Sequence, residues 1–495
     1  MELKIKLLKW STGIPVAMLN EKTADLLGVK TKGRISIKTF SKNAKEISTI
    51  VDISSILLKK DEVGISLELQ EILSLKPGQK IDVGLSSLPK SMTFIHKKMN
   101  NGILNQDEVN AIINEIINNT LSEAEIALFI SAMYEKGMNM QETIYLINAI
   151  LNSGEKLNLK GKFIVDKHSI GGIPGNRTTP LVVSICAAGG LIVPKSSSRA
   201  ITTAAGTADV IETIAEVDFS MKELKKIVEK TGACLIWGGS LEIVPADEKI
   251  ISIEKMLNID PESQLLASIM SKKLALGAKY ILIDIPYGKT AKVSKEKALK
   301  LGKKFEYLGK HFNKKLKVIL TRGDEPIGNG IGPALELIDL IKVLKHSEDR
   351  PLDLEEKSIF LAGELFEMTG KYKKGEGRKL AQQILDSGEA FEKFKEIITA
   401  QRGNLNKLRS AKFKKDIFMK KRGKIVEIDN KKINSLARIC GCPMDKFAGL
   451  YLYKHVGATL EKGEKILTVY SESKSRINEA INFFAAQKPI KIQNN

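Results

Sequence analysis

The hydrophobic period of this chain switches repeatedly, and the order of the switches limits its architecture more than any single motif. Residues 1–85 alternate apolar and polar positions in short runs, RISIKTF, EISTIVDIS, EVGISLEL and KIDVGL, the two-residue period of strands with one buried face. Within them LLGVKTKGRISI at 26–37 resembles ILSLKPGQKIDV at 72–83, which predicts a small β-rich, barrel-like domain of two related halves. A linker with Ser86, Ser87 and Pro89 closes it. Over 91–155 the period becomes helical: Asn105 with Glu108 and Ser122 with Glu125 form capping boxes, and Asn139 precedes a third helix. At 160–243 apolar strands alternate with helices, the pattern of a largely parallel sheet. Helical character returns at 245–276, the α/β pattern resumes at 278–425, and 426–495 reads as an α+β section. The predicted fold class is therefore α/β multidomain, with a helical lobe interrupted by the first part of a large mixed sheet lobe. Lobes so interleaved leave a cleft of the kind ligands occupy.

Composition narrows the function. No apolar run approaches membrane-spanning length, and the start, MELKIKLLKWSTG, lacks a signal peptide's apolar core and cleavage site, so a cytoplasmic protein with no membrane partner is expected. Cys186, Cys234, Cys440 and Cys442 form no CxxC pair and read as reduced thiols, and the five histidines include no HExxH, so no metal is expected. A formal charge of +20 suits either small anionic substrates or nucleic acid. The lysine-dense stretches 289–304 and 412–424 hold only Phe413 and Phe418 as aromatics, too few for a base-stacking platform, so no nucleic-acid partner is expected.

Two loops carry the chemistry. KHSIGGIPGN (167–176) and PKSSSRAITTAAGTAD (194–209) each follow an apolar run and combine glycine, hydroxyl and cationic residues, a composition for holding anions. Structural roles compete with this: Gly171, Gly172 and Gly175 as a plain turn, Ser197 and Thr207 as helix caps, Lys167 as a solvated lysine. Asp260 poses the sharpest conflict, because Asp-Pro-Glu-Ser reads as a helix start with Asp260 at the cap and Pro261 at the first helical position. A cap lowers a carboxyl pKa, opposite to what a general acid needs. Asp260, Gln264, Ser268 and Lys272 recur every four residues, so they share one helical face, either a site or a solvated surface.

KHSIGG, SSRAIT with AAGTAD, and DPESQLLASIMSKKLALG resemble the thymidine phosphorylase family, more narrowly its AMP phosphorylase branch. The resemblance runs from about Ser91 to near the C-terminus, and the preceding residues match that branch's extra N-terminal domain. It implies phosphorolysis of AMP, and of CMP and UMP, to free base and ribose 1,5-bisphosphate in nucleotide degradation and salvage. Inorganic phosphate would be co-substrate, no cofactor would be used, and the protein would be a homo-oligomer, a dimer or larger. It implies phosphate contacts at Lys167, Ser169, Thr179, Ser197 and Thr207. AMP contacts would be Gly172, Ser198, Arg199, Ala200, Ile201, Thr202, Thr203, Thr207, Ser268, Lys272 and Lys292. Asp260 would protonate the leaving base, with His168 toward the sugar or base. Where pyrimidine-specific relatives place an arginine against the base, this chain has Ile253, which disfavours strict thymidine or uridine specificity. The alternatives are a thymidine, uridine or purine nucleoside phosphorylase, an anthranilate-type phosphoribosyltransferase, and a basic RNA-binding protein.

Overall fold

The computed structural model describes residues 1–11, 13–40, 44–86, 88–200, 203–239 and 243–493. Two compact units form, residues 1–153 with 245–268 and residues 154–244 with 269–495.

The first unit opens with β1 (Glu2–Leu7), β2 (Val16–Asn20), α1 (Glu21–Leu27), β3 (Arg34–Thr39), β4 (Glu46–Ser54), β5 (Glu62–Ile65), α2 (Leu67–Leu73) and β6 (Lys80–Leu85). Its strands close a barrel in the order β1-β5-β2-β4-β3-β6. Exchanging β1, β2, β3 for β4, β5, β6 maps the sheet onto itself. The parallel pair β1–β5 becomes β2–β4, and the antiparallel pair β1–β6 becomes β3–β4. The repeat at 26–37 and 72–83 is the visible trace of this duplication. Each copy ends a short helix on a left-handed residue, Gly28 (φ 68°) or Ser74 (φ 54°), before the next strand. Alternation then sends Ile35 and Ile37, and Ile81 and Val83, into the barrel core.

Four helices follow: α3 (Ser91–Met99), α4 (Gln106–Ile117), α5 (Glu123–Lys136) and α6 (Met140–Leu151). Both capping boxes read from the sequence are present, and Asn139 makes a third with Glu142. Each satisfies two backbone donors that the helix start would otherwise leave open.

The second unit contains β7 (Val165–Ser169), α7 (Thr178–Ala188), β8 (Val193–Ser197), α8 (Thr207–Ile211), α9 (Met221–Thr231) and β9 (Ala233–Trp237). After α10 (Pro245–Leu257) and α11 (Glu262–Ala275) it resumes with β10 (Tyr280–Tyr287), α12 (Lys295–His311) and β11 (Lys315–Arg322). Strands β11-β10-β7 pair in parallel, β8 pairs with β9 in parallel, and a parallel bridge from Ile164 to Ile192 links the two sets. From β7 the chain passes to β8 on one side, whereas from β10 it passes to β11 on the other. Oppositely directed connections of this kind leave a crevice at the carboxyl ends of the strands, where open α/β sheets bind ligands. Helix α7 is hydrophobic all round and buried throughout Thr178–Ala187, which makes it the centre of this core. Further helices Pro333–Leu344, Leu352–Met368 and Glu389–Ala400 line the same core. The last section, from Phe413, sets antiparallel strands around helices Asn430–Cys440 and Lys474–Gln487 with a separate core.

Candidate active site

At the carboxyl ends of β7 and β8 the sequence buries charge. Lys167, His168 and Ser169 are the last three residues of β7, so the strand runs on into the segment the sequence marks as a loop. Lys167 is 1% exposed, which removes the solvated reading. Its Nζ donates to Thr178 Oγ1 at 2.7 Å and Thr179 Oγ1 at 3.4 Å, at the start of α7. Burial drives its pKa down to about 7, with Asp284 the main opposing influence. Beneath it, fully buried Asp166 pairs with Lys273 at 2.9 Å and Lys195 at 3.4 Å. Asp284, also fully buried, pairs with Lys357 at 3.0 Å and accepts from Thr321 at 2.6 Å. Burial, then the charges of Lys273, Lys195, Lys167 and Lys272, push His168 well below the usual imidazole range, so it stays neutral near pH 7.

The hydroxyls here have a fixed polarity. An ammonium, a guanidinium or an amide N–H can only donate, so a hydroxyl oxygen that accepts from one keeps its own proton for another acceptor. Lys167 does this to Thr179, Asn176 Nδ2 to Ser169 Oγ at 3.4 Å, and Arg177 to Thr207 Oγ1 at 2.8 Å. Ser197 Oγ is buried with no hydrogen-bond partner among the described residues, and so is Asn176 Oδ1. Thr207 is the first residue of α8, after Gly206 at the cap, so the capping role considered for it does not hold. Hydroxyls that keep their protons for another acceptor, beside buried cations, suit an oxyanion.

Arg177 was not legible in the sequence. It is 7% exposed and donates to Glu336 at 2.6 Å, to Thr207, and to the Ala205 carbonyl at 2.8 Å, fastening the second loop to the start of α7. Asp209 is a second such residue, accepting from the N–H groups of Ala200 and Gly206, both at 2.7 Å. Gly206 is required there, since a Cβ would lie 2.4 Å from the Ser198 carbonyl.

Among the residues assigned to AMP by resemblance, the structure brings Gly172 and Lys292 together. Gly172 has φ +93°, and a Cβ on it would sit 2.9 Å from Lys292 Cβ, so the loop after β7 rests on the loop after β10. Lys292 is half-buried rather than an exposed loop lysine. Ser198 and Ala200 border the same second loop, while Thr203 Oγ1 turns to the Ala205 carbonyl at 2.7 Å. Ile201 and Thr202 lie outside the described residues. Arg199 differs from the expectation of a cation open to phosphate: it grips both oxygens of Glu212 at 2.7 Å and stacks over Trp237. That pairing holds Glu212 down to about 2.

In the first unit, Asp247 of α10 is fully buried and accepts from Gln264 Nε2 and Ser268 Oγ of α11, both at 2.9 Å. Gln264 is 1% and Lys272 8% exposed, so this face of α11 is no solvated surface. In the second unit Lys272 Cε lies 3.7 Å from the Cβ position of Gly238, beside Ser196. Ile253 is buried within α10. Asp260 is half-buried. The helix starts one residue later than the sequence reading placed it: the first helical bond runs from Leu265 N–H to the Pro261 carbonyl. Proline has no N–H to contribute, but its carbonyl accepts normally.

Comparison with known proteins gives the family. Residues 92–154 match the glycosyl transferase family helical bundle domain, 161–391 the glycosyl transferase family a/b domain, and 424–492 the pyrimidine nucleoside phosphorylase C-terminal domain. The chain is 41% identical to an AMP phosphorylase of Thermococcus kodakarensis, over 100% of this chain and 98% of that one. It is 38% identical to an AMP phosphorylase of Methanococcus aeolicus over 99% and 97%. A putative thymidine phosphorylase of Legionella pneumophila is 40% identical over 90% and 86%. In fold, anthranilate phosphoribosyltransferase from Thermus thermophilus superposes with a TM-score of 0.52 at 19% identity, covering 62% of this chain and 99% of the other. Near-complete alignment with enzymes of this kind, on top of the three matched domains, makes the chain a member of the thymidine and AMP phosphorylase family.

Proposed function

We propose that this chain catalyses the reversible phosphorolysis of AMP, and of CMP and UMP, to free base and ribose 1,5-bisphosphate. The observation that supports the phosphate half is the set of hydroxyls, Ser169, Thr179 and Thr207, whose oxygens accept from Asn176, Lys167 and Arg177 and so keep their own protons to give, beside buried Lys167. The AMP half rests on the names of the relatives that align over nearly the whole chain.

In the reaction a phosphate oxygen forms a bond to the anomeric carbon as the bond from that carbon to the base nitrogen breaks. The departing base keeps the electron pair and takes a proton from Asp260. Lys167, Ser169, Thr179, Ser197 and Thr207 hold and orient the phosphate, so positioning and electrostatics supply most of the rate. His168, kept neutral by burial and then by its lysine neighbours, serves as a hydrogen-bonding group toward the sugar and not as an acid. Gly172, the 198–203 loop and Lys292 receive the nucleotide. Lys292, half-buried and packed against Gly172, is the proposed partner for the 5′-phosphate. Ser268 and Lys272 meet the base. The protein works in the cytoplasm as a homo-oligomer, without cofactor, membrane or nucleic acid. No helix of the described residues is long and apolar enough to cross a membrane, and the barrel exposes Ile56, Leu57 and Phe40 as apolar contact surface.

The test is base release from AMP and from adenosine, side by side in phosphate buffer. A higher kcat/KM for AMP is expected; a clear preference for adenosine or thymidine would instead favour a nucleoside phosphorylase.

A further inference from the structure

The loop after β8 passes between two hydrophobic cores of the second unit. Ala205 belongs to the core around α7, whereas Ala204, fully buried, belongs to the core of the C-terminal section together with Ile433, Leu436 and Ala437. The backbone N–H of Ala204 donates to Asn434 Oδ1 at 3.0 Å, and Asn434, on helix Asn430–Cys440, is 5% exposed. One turn further along that helix, Arg438 donates to the Thr203 carbonyl at 3.3 Å. Lys446, just beyond the helix, pairs with Glu212 at 3.1 Å, the same carboxylate that grips Arg199. A buried N–H that lacks an acceptor is costly, so Asn434 fixes where the backbone runs at Ala204. The far side of the loop is held from elsewhere: Arg177 binds the Ala205 carbonyl and Thr207, and Asp209 binds the Gly206 N–H.

We infer that the C-terminal section braces the nucleotide loop, and that Asn434 is the positioning residue through which it does so. Asn434 acts through the backbone of Thr203 and Ala204, so it governs how the loop meets the nucleotide. Phosphate is left to Lys167 and to Thr207, which Arg177 holds independently of Asn434. The inference rests on the reading of this loop as the receiver of AMP, and it gives the C-terminal section a part in substrate binding although it supplies none of the proposed contacts.

The experiment measures KM for AMP and KM for phosphate in the wild type, Asn434→Ala and Asn434→Asp. Alanine removes the acceptor of the Ala204 N–H, whereas aspartate keeps an oxygen for it. In Asn434→Ala, KM for AMP is expected to rise about tenfold while KM for phosphate moves less than about twofold. Asn434→Asp is expected to stay close to the wild type in both. Should Asn434→Ala not fold, Arg438→Met removes the contact to the Thr203 carbonyl, and a rise in KM for AMP alone is again expected. An unchanged KM for AMP, an equal rise in both KM values, or no rescue by aspartate would make Asn434 structural only and overturn this inference, with the phosphorolysis reading intact. No base release from AMP by the wild type overturns that reading and this inference together.

Discussion

At the scale of single residues, the partner that holds each hydroxyl sets whether that hydroxyl still has its proton to give. The ammonium form of Lys167 and the Arg177 guanidinium only donate, which leaves Thr179 and Thr207 their own protons, whereas the Asp247 carboxylate takes the proton of Ser268 in a hydrogen bond. The depressed Lys167 gives this a pH signature. With a pKa of about 7 in the empty site, it is an ammonium below that pH and neutral above it. An anion binds the ammonium form, so affinity should fall as pH rises through 7, with one proton taken up per anion bound in that range. Sulfate, which does not itself titrate there, is the clean probe. Calorimetry in buffers of different ionisation enthalpy should show uptake above pH 7, and a pH-independent affinity would contradict it. His168 should give the opposite result, an imidazole with no protonation step of its own near pH 7 by NMR, since its titration lies well below the usual range. For Asp260, replacement by asparagine removes the acidic proton but keeps a polar side chain. Turnover should drop by about 10²-fold or more with the melting temperature nearly unchanged; retained turnover would make Asp260 structural only.

At the scale of elements, the site depends on loops that touch backbone to backbone. Gly175 has φ +70°, and a Cβ there would lie 2.1 Å from the Ile327 carbonyl, which cannot move aside as a side chain could. Gly175→Ala should therefore destabilise by about 2 kcal/mol or more in urea titration; a change below about 0.5 kcal/mol would show that the loop relaxes freely. What was legible at this scale followed from local chemistry. The three helix starts in residues 91–153 were readable because a capping box is written in four consecutive residues. Lys167 and Thr207 stood out by their glycine and hydroxyl neighbours. Arg177, Glu336, Asp284 and Lys357 did not, because each gains meaning only from partners far along the chain; Arg177 and Glu336 are 159 residues apart. Asp247 was missed for a related reason: an acidic residue in a helix's first turn is ordinary, and nothing in the sequence shows that it is buried. The pairing of Arg199 with Glu212 was hidden too, because a separation of 13 residues falls outside the short spacings at which neighbours on one element can be paired from sequence.

At the scale of the whole molecule, the net charge of +20 admits two opposite functions, small anionic substrates or nucleic acid, and the cations buried at the candidate site suit the first. Lys167, Lys195, Lys273 and Arg177 are buried under one pair of strand ends, organised around carboxylates, an arrangement for a small anion and inaccessible to a nucleic-acid backbone. Added RNA at physiological salt should accordingly leave AMP cleavage unchanged, and inhibition that weakens with salt would argue for a nucleic-acid role. The switching of hydrophobic period foretold that helical segments would bracket an α/β segment, and the two compact units each draw on two separated stretches of chain. The direct test of the account is the fate of phosphate itself. With phosphate labelled by heavy oxygen at all its positions, the account predicts that AMP yields ribose 1,5-bisphosphate carrying the complete labelled phosphate at C1. A sugar product without the label, or AMP left intact, would contradict it.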